Sequence, residues 1–207
     1  MTKEKAQARR DHLAQMRAQQ TRKERRTAFL MWGVGGAVIL LLVGVVGFYI
    51  VNERSASSLD AVKSFKYVGS EHTSGPVTYK ETPPVGGPHA PPPEWQNCGI
   101  YDKPIGNENA VHSLEHGAVW ITYRPDLPKA QVEELRSLVR KQRDYMLLSP
   151  YPGIPSPIVA SSWGNQLSGI TDAGDPRLAK FIAKFKNGPG TPELGAACSG
   201  GKGEPLS

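Results

Sequence analysis

His112 and His116, four residues apart, are the side chains of this chain best suited to chemistry. Positions i and i+4 share a face in a helix, and an even spacing shares a face in a strand, so the two imidazoles converge in either structure. Glu115 lies beside them in a helix and opposite them in a strand. Neutral imidazoles suit copper or zinc, and a third ligand completes a usable site. His89 is the candidate third ligand, because Gly87-Pro88-His89 forms a turn with a pinned backbone. Met146, the only methionine after the apolar run described below, offers copper a soft thioether, and Glu193 offers a carboxylate as fourth ligand. His72, between Glu71 and Thr73, reads as an exposed loop histidine outside the site. The opposing reading makes the pair a packing cluster and the chain a non-catalytic envelope interaction module, with proline loops as the docking surface for a protein partner.

An enzyme reading also exists. His112-Ser113-Leu114-Glu115-His116 fits H-x-x-E-H, the pattern of the inverted zinc peptidases, with Glu115 as general base and Glu193 as a later ligand. That pattern belongs in mid-helix, whereas Gly117 and the strand-like run after it end a helix at once. Such peptidases also use a larger body to clamp their substrates. No nucleophile elbow, P-loop or dinucleotide fingerprint is present. The reading therefore leans away from an enzyme.

Positioning these residues begins with a membrane. Residues 28–51 run without a charge, and at ~1.5 Å of helix rise per residue they can cross a hydrocarbon core of ~30 Å. Arg22, Lys23, Arg25 and Arg26 precede the run and favour a cytoplasmic N-terminus, while Trp32 and Tyr49 suit the headgroup layers. A signal peptide has a shorter apolar core, so the run reads as a permanent single-pass anchor. The net charge of +6 resides wholly in residues 1–26, and the rest of the chain is balanced. A basic arm beside a membrane serves orientation and anionic lipid, at ~1 kcal/mol per residue, and nucleic acid is not needed to explain it. The arm is either a solvated helix or disordered.

Everything after residue 51 is then extracytoplasmic, where disulfides persist. The two cysteines, Cys98 and Cys198, are expected to pair, closing a long loop worth up to ~4.7 kcal/mol and tying down the Gly-rich C-terminus. Strand-like pieces occur around Phe65 and Tyr67 and over residues 77–79. Residues 82–94 contain six prolines and two glycines, so they form an extended loop, held on the domain by Trp95 and Tyr101. Residues 118–123 are β-branched and aromatic, a strand. An amphipathic helix follows over residues 129–145, then strands at 146–148 and 158–163. A second helix spans 176–186, with Asp175 as N-cap and Pro176 at its first position. This mixture predicts a small α+β domain with short strands and two helices. The expected organisation is an arm at 1–26, an anchor at 27–51, a stalk at 52–64, the domain at 65–200 and a tail at 201–207.

The Gly87-Pro88-His89 turn, Trp95, Gly99-Ile100-Tyr101, the block from His112 to Gly117 and Ser161-Ser162-Trp163-Gly164 together resemble a bacterial family common in actinobacteria. It consists of single-pass membrane-anchored proteins known as a domain of unknown function. The resemblance covers roughly residues 60–200 and implies an N-terminal anchor with an extracytoplasmic α+β domain. It implies no activity.

Overall fold

The computed structural model describes residues 3–56 and 58–206. They divide into two units, Met1–Ser55 and Ala56–Ser207.

The first unit is essentially one helix, α1 (Lys3–Ala56, 54 residues). The basic arm is therefore helical from Lys3 onward. Its apolar stretch exposes Phe29, Trp32, Leu40, Phe48 and Tyr49 on all sides. A helix apolar all round needs an apolar surrounding rather than one partner face. Among the described residues this is the one helix long and apolar enough to cross a membrane.

The second unit is a mixed sheet with helices on both faces. In chain order it comprises β1 (Lys63–Ser64), β2 (Gly99–Ile100), α2 (Asn107–Glu115), β3 (Val119–Tyr123), α3 (Lys129–Gln142), β4 (Met146–Pro150), β5 (Ile158–Ser162), β6 (Asn165–Ile170) and α4 (Pro176–Phe185). The strand order is β1-β6-β5-β3-β4-β2. β3 and β2 run parallel to β4, and the remaining pairs are antiparallel. The parallel β3–β4 pair needs a crossover, and α3 supplies it.

Both predicted helices form because each buries one stripe, the first ending at Gln142 rather than 145, and α2 is a third helix beyond the expected two. Leu135 and Val139 of α3, and Leu178, Phe181 and Ile182 of α4, pack on one sheet face with Val119, Ile121, Met146 and Leu148. Each such side chain contributes roughly 1.5–3 kcal/mol of burial. Asp175 caps α4 by accepting the Arg177 N–H, as its position predicts. The opposite face carries Trp120 and Leu147, covered by Ala110, Val111 and Leu114 of α2 and by Tyr101 and Trp163. Alternation along β3 and β4 assigns neighbours to opposite layers.

The strands at 118–123, 146–148 and 158–163 form nearly as expected, with β4 two residues longer. The pieces around Phe65 and over 77–79 form no strand, and that segment joins the sheet only through Lys63–Ser64. Residues expected as stalk contribute to the domain, since Leu59 and Val62 pack against its core. The proline-rich loop wraps the domain as expected, burying Pro83, Pro84, Val85 and His89. Cys98 and Cys198 are bridged, with Cα atoms 5.3 Å apart. Residues beyond the bridge continue the docking: Lys202 N–H donates to the Trp95 carbonyl and Leu206 N–H to the Ile100 carbonyl.

Candidate metal centre

α2 settles the geometry of the histidine pair. The segment Asn107–Glu115 is a helix whose apolar residues Ala110, Val111 and Leu114 face the sheet. His112, Glu115 and the C-cap residue His116 then follow one another on an adjoining face, at i, i+3 and i+4. Gly117 ends the helix at φ +109°, where a Cβ would lie 2.2 Å from Asn187 Oδ1, so only glycine fits there. Two of the carbonyls that α2 leaves open at its C-terminus are taken by the C-terminal segment. Glu193 N–H donates to the Glu115 carbonyl and Gly195 N–H to the His116 carbonyl. That pairing carries the Glu193 side chain to His116.

A different pairing brings the other histidines. His72 and His89 sit side by side in an isolated parallel bridge, with Thr73 N–H donating to the His89 carbonyl and His89 N–H to the Glu71 carbonyl. Their ring centroids are 4.9 Å apart, and each lies 5.0 to 5.3 Å from that of His112. Gly69 lets the same segment close over Glu115, since a Cβ there would meet Glu115 Oε1 at 2.7 Å. Ser70 N–H donates to that oxygen at 2.6 Å.

Two ligand groups result, sharing His112. The inner group is His72, His89, His112 and Glu115, and the outer group is His112, His116 and Glu193; within each, the donor atoms lie within 4.8 Å of one another. His89, His112 and Glu115 are fully buried and His116 is 2% exposed, while His72 is exposed. Trp95 packs edge-on against His112 and at a tilt against His116, and Trp163 packs edge-on against His89. A polar cleft of about 220 Å³, lined by Thr73, Ser74, Ala90, Glu94, Glu108 and Asn109, adjoins the residues next to His72 and His89.

The protonation pattern follows from the neighbours. His89 Nδ1 lies 2.8 Å from the Gly87 carbonyl and His116 Nδ1 2.6 Å from the Ala197 carbonyl. A carbonyl only accepts, so both Nδ1 atoms carry protons and both Nε2 atoms face the site. His89 Nε2 stands 2.8 Å from Glu115 Oε2, at ion-pair distance. Both nitrogens of His112 are buried without a well-aligned hydrogen bond, and the Ala90 carbonyl is the one backbone acceptor facing the ring. Burial, reinforced by His116 and His89, lowers the His112 pKa to about 4, so this imidazole stays neutral. Burial pulls His89 down as well, but the Glu115 carboxylate and the Gly87 carbonyl outweigh it and raise its pKa above the ordinary value. Burial would raise Glu115, but His89 and the Ser70 N–H hold it below the usual carboxylate range.

Of the residues singled out from sequence, His89, His112, His116 and Glu193 do converge, but His89 and His116 fall in separate groups. Met146 does not join them. It lies in the core layer under α3 and α4, on the face away from α2, because its neighbour Leu147 takes the α2 side. His72, which the sequence places outside the site, and Glu115, which the sequence offers only as a peptidase base, both fall in the inner group. A polar loop histidine carries no local signal of a bridge to a residue seventeen positions away.

A family model described as "Protein of unknown function (DUF3105)" matches residues 71–200, which contain every ligand of both groups. The chain belongs to this family. A second model, described as "Inhibitor of host cell division protein domain", matches residues 7–67, mostly α1. No curated protein and no solved structure matches the chain. The DUF3105 match thus encloses both groups that could hold a metal ion and the bridge between Cys98 and Cys198.

Proposed function

We propose that this chain is a single-pass membrane protein whose extracytoplasmic domain binds copper or zinc through His72, His89, His112 and Glu115. The observation that carries the reading is His112, wholly buried with neither ring nitrogen in a well-aligned hydrogen bond, in a ring of further donors. Leaving buried polar atoms unsatisfied costs about 1–3 kcal/mol each, and a bound cation removes that cost. His89 Nε2 and Glu115 Oε2, 2.8 Å apart, are close enough for one ion to reach both. Imidazole and carboxylate donors suit Zn²⁺ and Cu²⁺. Thioether and thiolate do not contribute, because Met146 lies on the far face and both cysteines are bridged. Copper here means Cu²⁺.

The basic arm before α1's apolar stretch supports a cytoplasmic N-terminus, and the disulfide supports an oxidising compartment for the domain. Glu115 serves as a ligand rather than as a peptidase base. Its oxygens are engaged by Ser70 N–H and His89, and α2 stops at that residue instead of continuing through the motif.

The test is metal analysis of the full chain purified in detergent, followed by titration with Cu²⁺ and Zn²⁺. Tight binding that disappears in His112→Ala is expected. A parent protein that binds neither ion below micromolar levels removes this reading and leaves the interaction-module alternative.

A further inference from the structure

A second set of donors shares His112. His116 is nearly buried, its Nδ1 proton is committed to the Ala197 carbonyl, and its Nε2 lone pair faces Glu193 Oε2 at 3.4 Å. Two ligands on a tetrahedral ion, each ~2.0–2.1 Å from it, stand about 3.3 Å apart, which is the spacing found. The third donor is His112, 4.6 Å from His116 between ring centroids. An ion in the inner group engages one His112 nitrogen, and the other is still buried without a well-aligned hydrogen bond.

We infer that His112, His116 and Glu193 form a second Zn²⁺ or Cu²⁺ site, so that His112 bridges two ions, one on each ring nitrogen. This rests on the inner site proposed above. Neutral imidazole has one lone pair and one N–H. When the second ion binds, the N–H bond breaks, its electron pair becomes the donor to the metal, and the proton leaves to solvent. The outer site has three protein donors, and the Glu193 side chain is 38% exposed. One coordination position is therefore left for water or a small anion, as in open zinc sites. The outer ion exchanges faster than the inner one, and a competing chelator removes it first.

Copper alone is the probe. Full-length protein in detergent, loaded with Cu²⁺ and freed of excess, is expected to retain two ions per chain. Its paramagnetic resonance intensity should fall clearly below that of two isolated ions, because a shared imidazolate couples the spins. Glu193→Gln, with an unchanged melting temperature before loading, is expected to retain one ion with full, uncoupled intensity. One ion per chain in the parent protein overturns the second site while leaving the inner one standing. Two uncoupled ions, or two in Glu193→Gln as well, place the second ion elsewhere and overturn the bridge. No bound ion overturns both sites. The coupled signal is read in the unaltered protein and needs no variant to fold.

Discussion

His89 Nε2 and Glu115 Oε2, both fully buried, stand 2.8 Å apart as an ion pair. Nothing in the neighbourhood of His89 in sequence requires this. It comes from the loop of residues 69–73, which bonds Glu115 through Ser70 and pairs with His89 through Thr73. A buried pair of this kind is held by its surroundings and is costly to break from one side.

Glu115→Ala should therefore destabilise the metal-free protein by about 3 kcal/mol, the lower end for removing one partner of a buried pair. Glu115→Gln should cost less, since its amide oxygen still accepts the Ser70 N–H. Urea unfolding of the two variants checks this, and equal losses would show that the Ser70 contact is unimportant.

His72→Ala should weaken the inner site at least tenfold while leaving the fold intact, because His72 is exposed yet within ligand reach of His89 and His112. The sequence alone argues for no effect. Competition titration against a chelator of known affinity decides between them.

Metal-free stability should depend on pH through His112. Its folded pKa, about 4, lies below the unfolded value near 6.5, so between these the unfolded chain binds more protons. Stability is full above pH ~6.5 and falls as pH drops from there towards 4, by up to roughly 3 kcal/mol. Glu115, with a lowered pKa, adds stability above its unfolded value that is lost as pH falls through its folded one. His89, with a raised pKa, acts oppositely: its contribution is present below 6.5 and lost as pH rises through its folded value. A melting-temperature series with His112→Gln as control tests this, and an identical pH slope in that variant would refute it.

Cys198→Ser should cost about 2–5 kcal/mol and also loosen His116, whose Nδ1 partner is the carbonyl of the adjacent Ala197. Neither cysteine of the native protein should label with a maleimide before reduction. Ready labelling without reductant would contradict the bridge.

A reporter active only in the cytoplasm, fused after Ser207, should stay silent. Activity would reverse the orientation argued from Arg22, Lys23, Arg25 and Arg26.

The sequence by itself determined whatever depends on a long stretch repeating one demand. The uncharged run of 28–51 is a helix apolar all round, and the stripe of Leu178, Phe181 and Ile182 buries α4. The β-branched run at 119–123 is a central strand, and the two cysteines pair. Tertiary structure alone decided whether residues 107–115 are helix or strand, since a nine-residue, largely polar segment has too little periodicity to choose. It also brought His72 beside His89 and Glu193 beside His116, through backbone pairings between segments far apart in sequence. Met146 went to the far face for the same kind of reason. Side chains alternate along a strand, so the packing of β4 between two layers decides which face receives the thioether, and no local pattern reveals it.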